Sequence, residues 1–167
     1  MTTLAVGQLA PALDTVLNDA DDQPVSLAAL LEKGPLLVGL YKSSCQASKT
    51  MFPFLQRVGD LYADKGLQAV GIAQDSPNIT KSFARRLDLT MPFLIDLPDY
   101  PVSRAFDIAA TPTVFLIGKD GKVVWTTMGF LKPQVNEMGA AAAAMFGVEP
   151  TPVVTDADAD FPMFVPG

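Results

Sequence analysis

Apolar positions along this chain switch between two periods. Leu36 to Tyr41 is an unbroken apolar run bounded by Pro35 and Lys42, the pattern of a buried strand. Directly after it, Met51, Phe54, Leu55, Val58, Leu61 and Tyr62 recur at helical spacing, so 46–65 is predicted as a helix that stops at Gly66. Pro53 lies inside that helix and removes one backbone donor, which kinks it or loosens a turn. The alternation repeats with a strand over 68–73, then a helix from Ser76-Pro77 to about 88, serine capping and proline at the first position. A short strand over 92–95 and a helical turn near 102–106 follow. Strands over 113–117 and 122–127 are joined by Gly118-Lys119-Asp120-Gly121, a hairpin-turn signal. Pro133 opens a last, alanine-rich helix that ends at Gly147. Upstream, 7–20 reads as loop, and Ser26 caps a short helix through Leu31 that Gly34-Pro35 ends. From Val148 onward Pro150, Pro152, Pro162 and Pro166 argue against regular structure.

After the first loop the order is β-α-β-α-β-α-β-β-α. Strands alternating with helices imply parallel crossovers, and the hairpin adds an antiparallel pair. The prediction is an α/β domain over 1–147, a mixed central sheet with helices on both faces, followed by an acidic, Pro-rich C-terminal tail over 148–167. A chain of 167 residues, 49% apolar, can bury a core of its own. The tail's apolar end, Phe161-Pro162-Met163-Phe164-Val165, docks on this subunit or another or is disordered, disorder being the default for a terminus.

The net charge is −6, and four of the acids behind it, Glu149, Asp156, Asp158 and Asp160, follow the last basic residue, Lys132. With no basic patch to neutralise phosphates, no nucleic-acid partner is expected. No stretch approaches the ~20 apolar residues that span a bilayer, so no membrane partner is expected. Met1 to Pro11 has neither the basic start nor the apolar run of a signal peptide, and a cytoplasmic location is the default expectation. Nothing in the pattern specifies an oligomeric state.

Candidate chemistry is narrowed by absences. The chain has one cysteine and no histidine. That excludes an internal disulfide, a thiolate zinc site, and serine–histidine or cysteine–histidine catalytic pairs. No G-x-G-x-x-G is present, and no metal or cofactor is expected. The single thiol, Cys45, falls where the strand 36–41 hands over to the helix 46–65, in Lys42-Ser43-Ser44-Cys45-Gln46-Ala47-Ser48. A sulfur at a helix N-terminus faces unpaired N–H groups and the positive end of the dipole, which favours thiolate over thiol. Lys42 adds to this if it folds back toward the sulfur. The alternative is an inert, buried cysteine of the core. Ser48, one turn on, either donates its hydroxyl to the sulfur or sits on the helix surface. Met51, Phe52 and Phe54 read as core, Arg85, Arg86 and Arg104 as solvated helix residues, and Trp125 as filling a sheet face.

Four segments, taken together and in order, resemble the redoxin group that contains thioredoxins, TlpA-type thiol oxidoreductases and the AhpC/TSA peroxiredoxins. Gly7-Gln8-Leu9-Ala10-Pro11 resembles the G-x-x-A-P opening. Cys45 falls at the first cysteine of C-x-x-C, with Pro53 eight positions later. Gly71-Ile72-Ala73-Gln74-Asp75 resembles a strand end of the group, and 110–117 with 119–124 resembles its cis-proline loop and hairpin. The resemblance spans roughly 7–146 and implies a thioredoxin-like fold, with a cis bond between Thr111 and Pro112, packed beside Cys45 and leaving the Thr111 backbone free to pair with a polypeptide or ligand. A trans proline opening a strand is the alternative.

The departures are as informative. Ser48 replaces the second cysteine, Ser44 the usual tryptophan, and Gly39 the buried acid of thioredoxins. Val38 and Lys42 stand where the peroxiredoxin signature has proline and threonine. The resemblance therefore implies a monothiol oxidoreductase, with Cys45 and Ser48 at the reacting centre and Lys42, Ser44, Thr111 and Pro112 around the substrate. Its resolving partner would be a low-molecular-weight thiol or a thiol/disulfide protein. A one-cysteine antioxidant peroxidase, and a redox-decayed module binding peptides at the cis-proline groove, are the alternatives.

Overall fold

In the computed structural model, which describes residues 4–167, the apolar run Leu36–Tyr41 forms β3, an interior strand of a seven-stranded sheet. Ahead of it lie β1 (Leu17–Asp19), β2 (Pro24–Val25) and α1 (Leu27–Leu31). Behind it come α2 (Gln46–Leu61), β4 (Gln68–Ala73), α3 (Pro77–Arg86), β5 (Phe93–Ile95), α4 (Pro101–Ala105), β6 (Thr113–Ile117), β7 (Val123–Met128), β8 (Phe130–Leu131), α5 (Lys132–Met145) and β9 (Phe164–Val165). The sheet order is β2-β1-β5-β4-β3-β6-β7. β3 pairs with β4, and β4 with β5, in parallel, while β3–β6, β6–β7, β1–β2 and β1–β5 are antiparallel. This is the mixed sheet of a thioredoxin-like α/β fold.

Period-two alternation along β3 sorts its side chains between two cores. Leu36, Val38 and Leu40 face one side with Leu27 and Leu31 of α1 and with Val102 and Phe106 at α4. Leu37 and Tyr41 face the other, with the apolar stripe of α2, Phe83 of α3, and Val135 and Met138 of α5. Met51, Phe52 and Phe54 are all core. Gly39 points to the α2 side, paired with Gly71 across β3 and β4. A Cβ on Gly39 would lie 2.8 Å from Phe52 Cζ and 2.9 Å from Leu55 Cδ2, and one on Gly71 would lie 2.5 Å from Phe93 Cδ1. The two missing side chains let α2 lie close on the sheet, with Tyr41, Phe52, Phe83 and Phe93 stacked into the gap at centroid distances of 4.4 to 6.4 Å. The acid that thioredoxins carry at this point has no room here.

Local signals place the helix ends. The Ser26 hydroxyl accepts the Ala29 N–H (3.1 Å) and that of Ser76 accepts the Ile79 N–H (3.3 Å). Gly118 and Gly121 close the β6–β7 hairpin through the Gly121 N–H and the Gly118 carbonyl, 2.8 Å apart. The buried Asp96 carboxylate accepts the Val102 and Ser103 N–H groups (2.9 and 2.8 Å), satisfying the first turn of α4.

Three expectations change. The loop expected over 7–20 contains β1, whose three residues form a hairpin with β2 and pair with β5; only Leu17 of β1 is buried, so no apolar run marks it. The helix expected over 46–65 ends at Leu61 and is continued by a 3-10 turn, Ala63–Lys65, before left-handed Gly66. The irregular structure expected beyond 148 is replaced by a 3-10 turn, Asp156–Asp158, and by β9, which pairs with β8. Pro162 and Pro166 flank the two paired residues and leave their donors intact.

The tail docks along α2. Arg57 donates to the Val153 carbonyl (2.8 Å) and to Asp158 (2.9 Å) and stacks over Phe54, while Phe161 meets the Phe54 ring edge-on at 4.9 Å. Lys132 Nζ donates to the carbonyls of Asp158 and Phe161 (2.6 and 3.1 Å). Val153 is buried against Gly139 of α5, where any Cβ would sit 2.5 Å from it. No helix among the described residues is long and apolar enough to cross a membrane.

Two outcomes follow. Gly39→Asp forces a carboxylate between Phe52 and Leu55 and lowers stability by about 3 kcal/mol or more, read as a fall in the denaturant midpoint. The hydrogen bond from Arg57, then that from the Thr155 N–H, holds the Asp158 carboxyl below the usual carboxylate range against its burial. Its contribution is therefore complete above about pH 3.9 and lost as pH falls through its lowered value. Hydrogen-exchange protection of 148–167 should drop over that acid window before the sheet opens, and Asp158→Asn should show the same loss at neutral pH.

Candidate functional site

Cys45 is the N-cap of α2, with extended backbone (φ −83°, ψ 124°) and no side-chain bond into the helix. Being the last residue outside the helix, it holds its sulfur over the first-turn N–H groups. It is partly exposed, not buried in the core as the alternative had it. Its Sγ donates to the Thr111 carbonyl at 3.2 Å. The Thr111–Pro112 peptide is cis, as is Leu97–Pro98. The buried Pro112 returns its carbonyl to the Gly129 N–H (2.8 Å). Antiparallel pairing of β6 with β3 brings this loop, 66 positions away in sequence, against the start of α2.

Burial alone would raise the thiol pKa. The Ser48 N–H, the Ser48 hydroxyl, the Thr111 hydroxyl and the Ala47 N–H outweigh it and hold the thiol below its usual value. Lys42 is not among the groups that depress it; exposed, it lines a shallow cleft of about 260 Å³ with Gln74 and Thr111. Ser48 is fully buried, which overturns the helix-surface alternative. Its hydroxyl has no partner at hydrogen-bond geometry beside the protonated thiol; a thiolate gives it an acceptor. Ser44 is exposed at the rim. Of the expected site residues, Cys45, Ser48, Thr111 and Pro112 converge, while Lys42 and Ser44 stay at the edges.

Two participants carry weaker sequence signals. Asp75, the last residue of the 71–75 motif, accepts the Ser43 N–H at 2.8 Å and pins the loop ahead of Cys45. Burial, then the Asp75 charge, pushes the Tyr41 phenol far up despite the Thr80 hydroxyl, so Tyr41 stays protonated. The tail also arrives here: a Cβ on Gly167 would lie 2.5 Å from the Thr111 carbonyl oxygen. That carbonyl, expected to be free for a ligand, is flanked by the sulfur and by the tail. Among the described residues no group of three metal-ligating side chains gathers.

A thioredoxin-like sheet, a lone thiol capping the helix that follows β3, and a proline loop against the sulfur define a redoxin-type domain. Comparison with known proteins agrees. The model of the AhpC/TSA family matches residues 6–126, and the chain belongs to that family. It is 34% identical over 124 residues to the thiol-disulfide oxidoreductase ResA of Geobacillus thermodenitrificans (strain NG80-2), covering 73% of this chain and 68% of that one. Identity to ResA of Bacillus subtilis (strain 168) is 26% over 126 residues, 75% of this chain and 69% of that one. Among solved structures, a putative thiol:disulfide interchange protein DsbE from Chlorobium tepidum superposes with a TM-score of 0.78 at 23% identity, over 87% of this chain and all of that one. Peroxidoxin BcpB from Mycobacterium tuberculosis gives 0.72 at 20%, over 87% and 99%.

The rate of Cys45 alkylation should rise with pH to a plateau whose midpoint lies below the roughly 8.5 of a free thiol. Ser48→Ala should move that midpoint upward. At a pH that keeps Cys45 protonated, where the change removes a buried hydroxyl without a partner, it should leave stability unchanged or raise it by up to about 1 kcal/mol, checked by denaturant unfolding.

Proposed function

We propose that this protein is a single-cysteine thiol-disulfide oxidoreductase of the redoxin type. The observation that carries the reading is the Cys45 sulfur, partly exposed at the start of α2, against Thr111, with its pKa lowered. The thiolate attacks one sulfur of a disulfide in line with the S–S bond. That bond breaks, the second sulfur leaves as a thiolate, and a new bond joins Cys45 to the first. The substrate disulfide is thereby half reduced and Cys45 oxidised. The Ser48 and Ala47 N–H groups hold negative charge on Sγ before attack, and the Ser48 hydroxyl reaches the same atom. With Ser48 in place of a second thiol, an external thiol resolves the mixed disulfide and regenerates Cys45. The ResA relatives, named as thiol-disulfide oxidoreductases, support this class.

The peroxidase alternative has less behind it. Val38, at the position of the signature's proline, is buried in the core on the α1 side of the sheet, away from α2. Lys42, at the position of its threonine, supplies no hydroxyl to the sulfur.

Mass spectrometry after stoichiometric disulfide or hydrogen peroxide tests the reading. The expected result is one mixed disulfide on Cys45, formed much faster than on free cysteine at the same pH and released by added thiol, with no adduct on Cys45→Ser. A folded wild-type protein that gains no adduct, or gains sulfenic acid from peroxide far faster than mixed disulfide, overturns it.

A further inference from the structure

The two flanks of Cys45 differ. On the Thr111 side the carbonyl is bonded by the sulfur and the chain's own tail lies against it, Gly167 packing on Thr111 after β9 has paired with β8. A polypeptide laid along that edge has to displace the tail, which Arg57 and Lys132 hold through charge-assisted bonds. The other flank is open. Between the start of α2 and α3 lies a cleft of about 450 Å³, whose near wall is Ser44, next to the reacting residue. That volume suits a small molecule.

The chemistry of its walls selects the molecule. Ile79, Phe83 and Leu87 supply apolar surface, and Lys49 and Arg86 supply two cations. Neither cation has an ion pair among the described residues, and no acid lines the cleft. In a chain of net charge −6, two unpaired cations in a cleft that Ser43 and Ser44 border run against the overall field. Resting on the single-thiol reading above, we propose that this cleft receives the anionic half of a small, carboxylate-bearing disulfide, the oxidising co-substrate of Cys45. The carboxylate sits between Lys49 and Arg86 while its sulfur reaches Cys45 across Ser44. Sγ attacks that sulfur, the S–S bond breaks, and the other half leaves as a thiolate. Cys45 is left joined to the half held in the cleft. Return of an equally anionic thiol through the open flank releases it by the reverse exchange.

The test is a comparison of second-order rates for mixed-disulfide formation with three probes: 3,3′-dithiodipropionate, neutral 2-hydroxyethyl disulfide and cationic cystamine. The neutral probe corrects for any change in Cys45 acidity. The expected result at low salt is an anionic-to-neutral rate ratio of about ten or more after normalising each probe to its rate with free cysteine. That ratio should fall with ionic strength and drop to one or below in Lys49→Glu and Arg86→Glu, with the cystamine ratio rising in the same variants. Both side chains are exposed, and circular dichroism checks that the variants fold. A preference for cystamine, the order set by the overall charge, or an anionic ratio that survives both reversals, overturns the cleft while leaving thiol-disulfide exchange intact. Failure of all three probes to react overturns the thiol-disulfide reading itself, and the cleft proposal with it.

Discussion

The site depends on how closely α2 can approach the sheet. Gly39 and Gly71 stand side by side on neighbouring strands, and the Phe52 ring comes down onto the bare backbone that they leave. Packing at this density tolerates little displacement, so α2 is fixed along its length by a contact nearly two turns from the sulfur. The first turn of the helix is thereby aimed at the far end of β3, where β6 delivers the proline loop. The redox reading needs that alignment more than it needs any one polar group, because N–H donors stabilise a charge only if they are already oriented.

Polar groups then set the state of the sulfur. Protonated, it gives its hydrogen to the Thr111 carbonyl. Ionised, it loses that bond, faces the carbonyl oxygen as a repulsive neighbour, and gains the amides of Ser48 and Ala47. The Ser48 amide leads the groups that offset burial, and the Ser48 hydroxyl, buried without a partner beside the thiol, comes next. A second cysteine at this position would give up that hydroxyl for an internal disulfide.

Most of the fold and the core of the site were legible in the sequence, for physical reasons. β3 is an unbroken apolar run, β4 and β6 are apolar after their first residue, and the caps at Ser26 and Ser76 announce helix starts, so local pattern was enough. The junction at Cys45 follows from the switch of period on either side of it, while the neighbouring proline loop was reached only through resemblance. What stayed hidden depends on partners far away in sequence. β1 is too short and too polar to carry a period, and β9 exists because β8 is there to pair with it. The bond from Arg57 to Asp158 spans 101 positions. The docking of a Pro-rich tail cannot be foreseen from a composition that otherwise reads as disorder. The cationic cleft was hidden for the same reason: Arg86 reads as a solvated helix residue and nothing marks Lys49 until α2 and α3 are set next to one another.

The course of the tail bears on how the protein can be handled. Because Gly167 lies beside Thr111, any residue placed after it begins close to the Cys45 sulfur. An affinity handle placed there crowds that sulfur, whereas one joined ahead of Leu9 enters through the segment that pairs with Lys122, beside β7 and at the opposite end of β6 from Thr111.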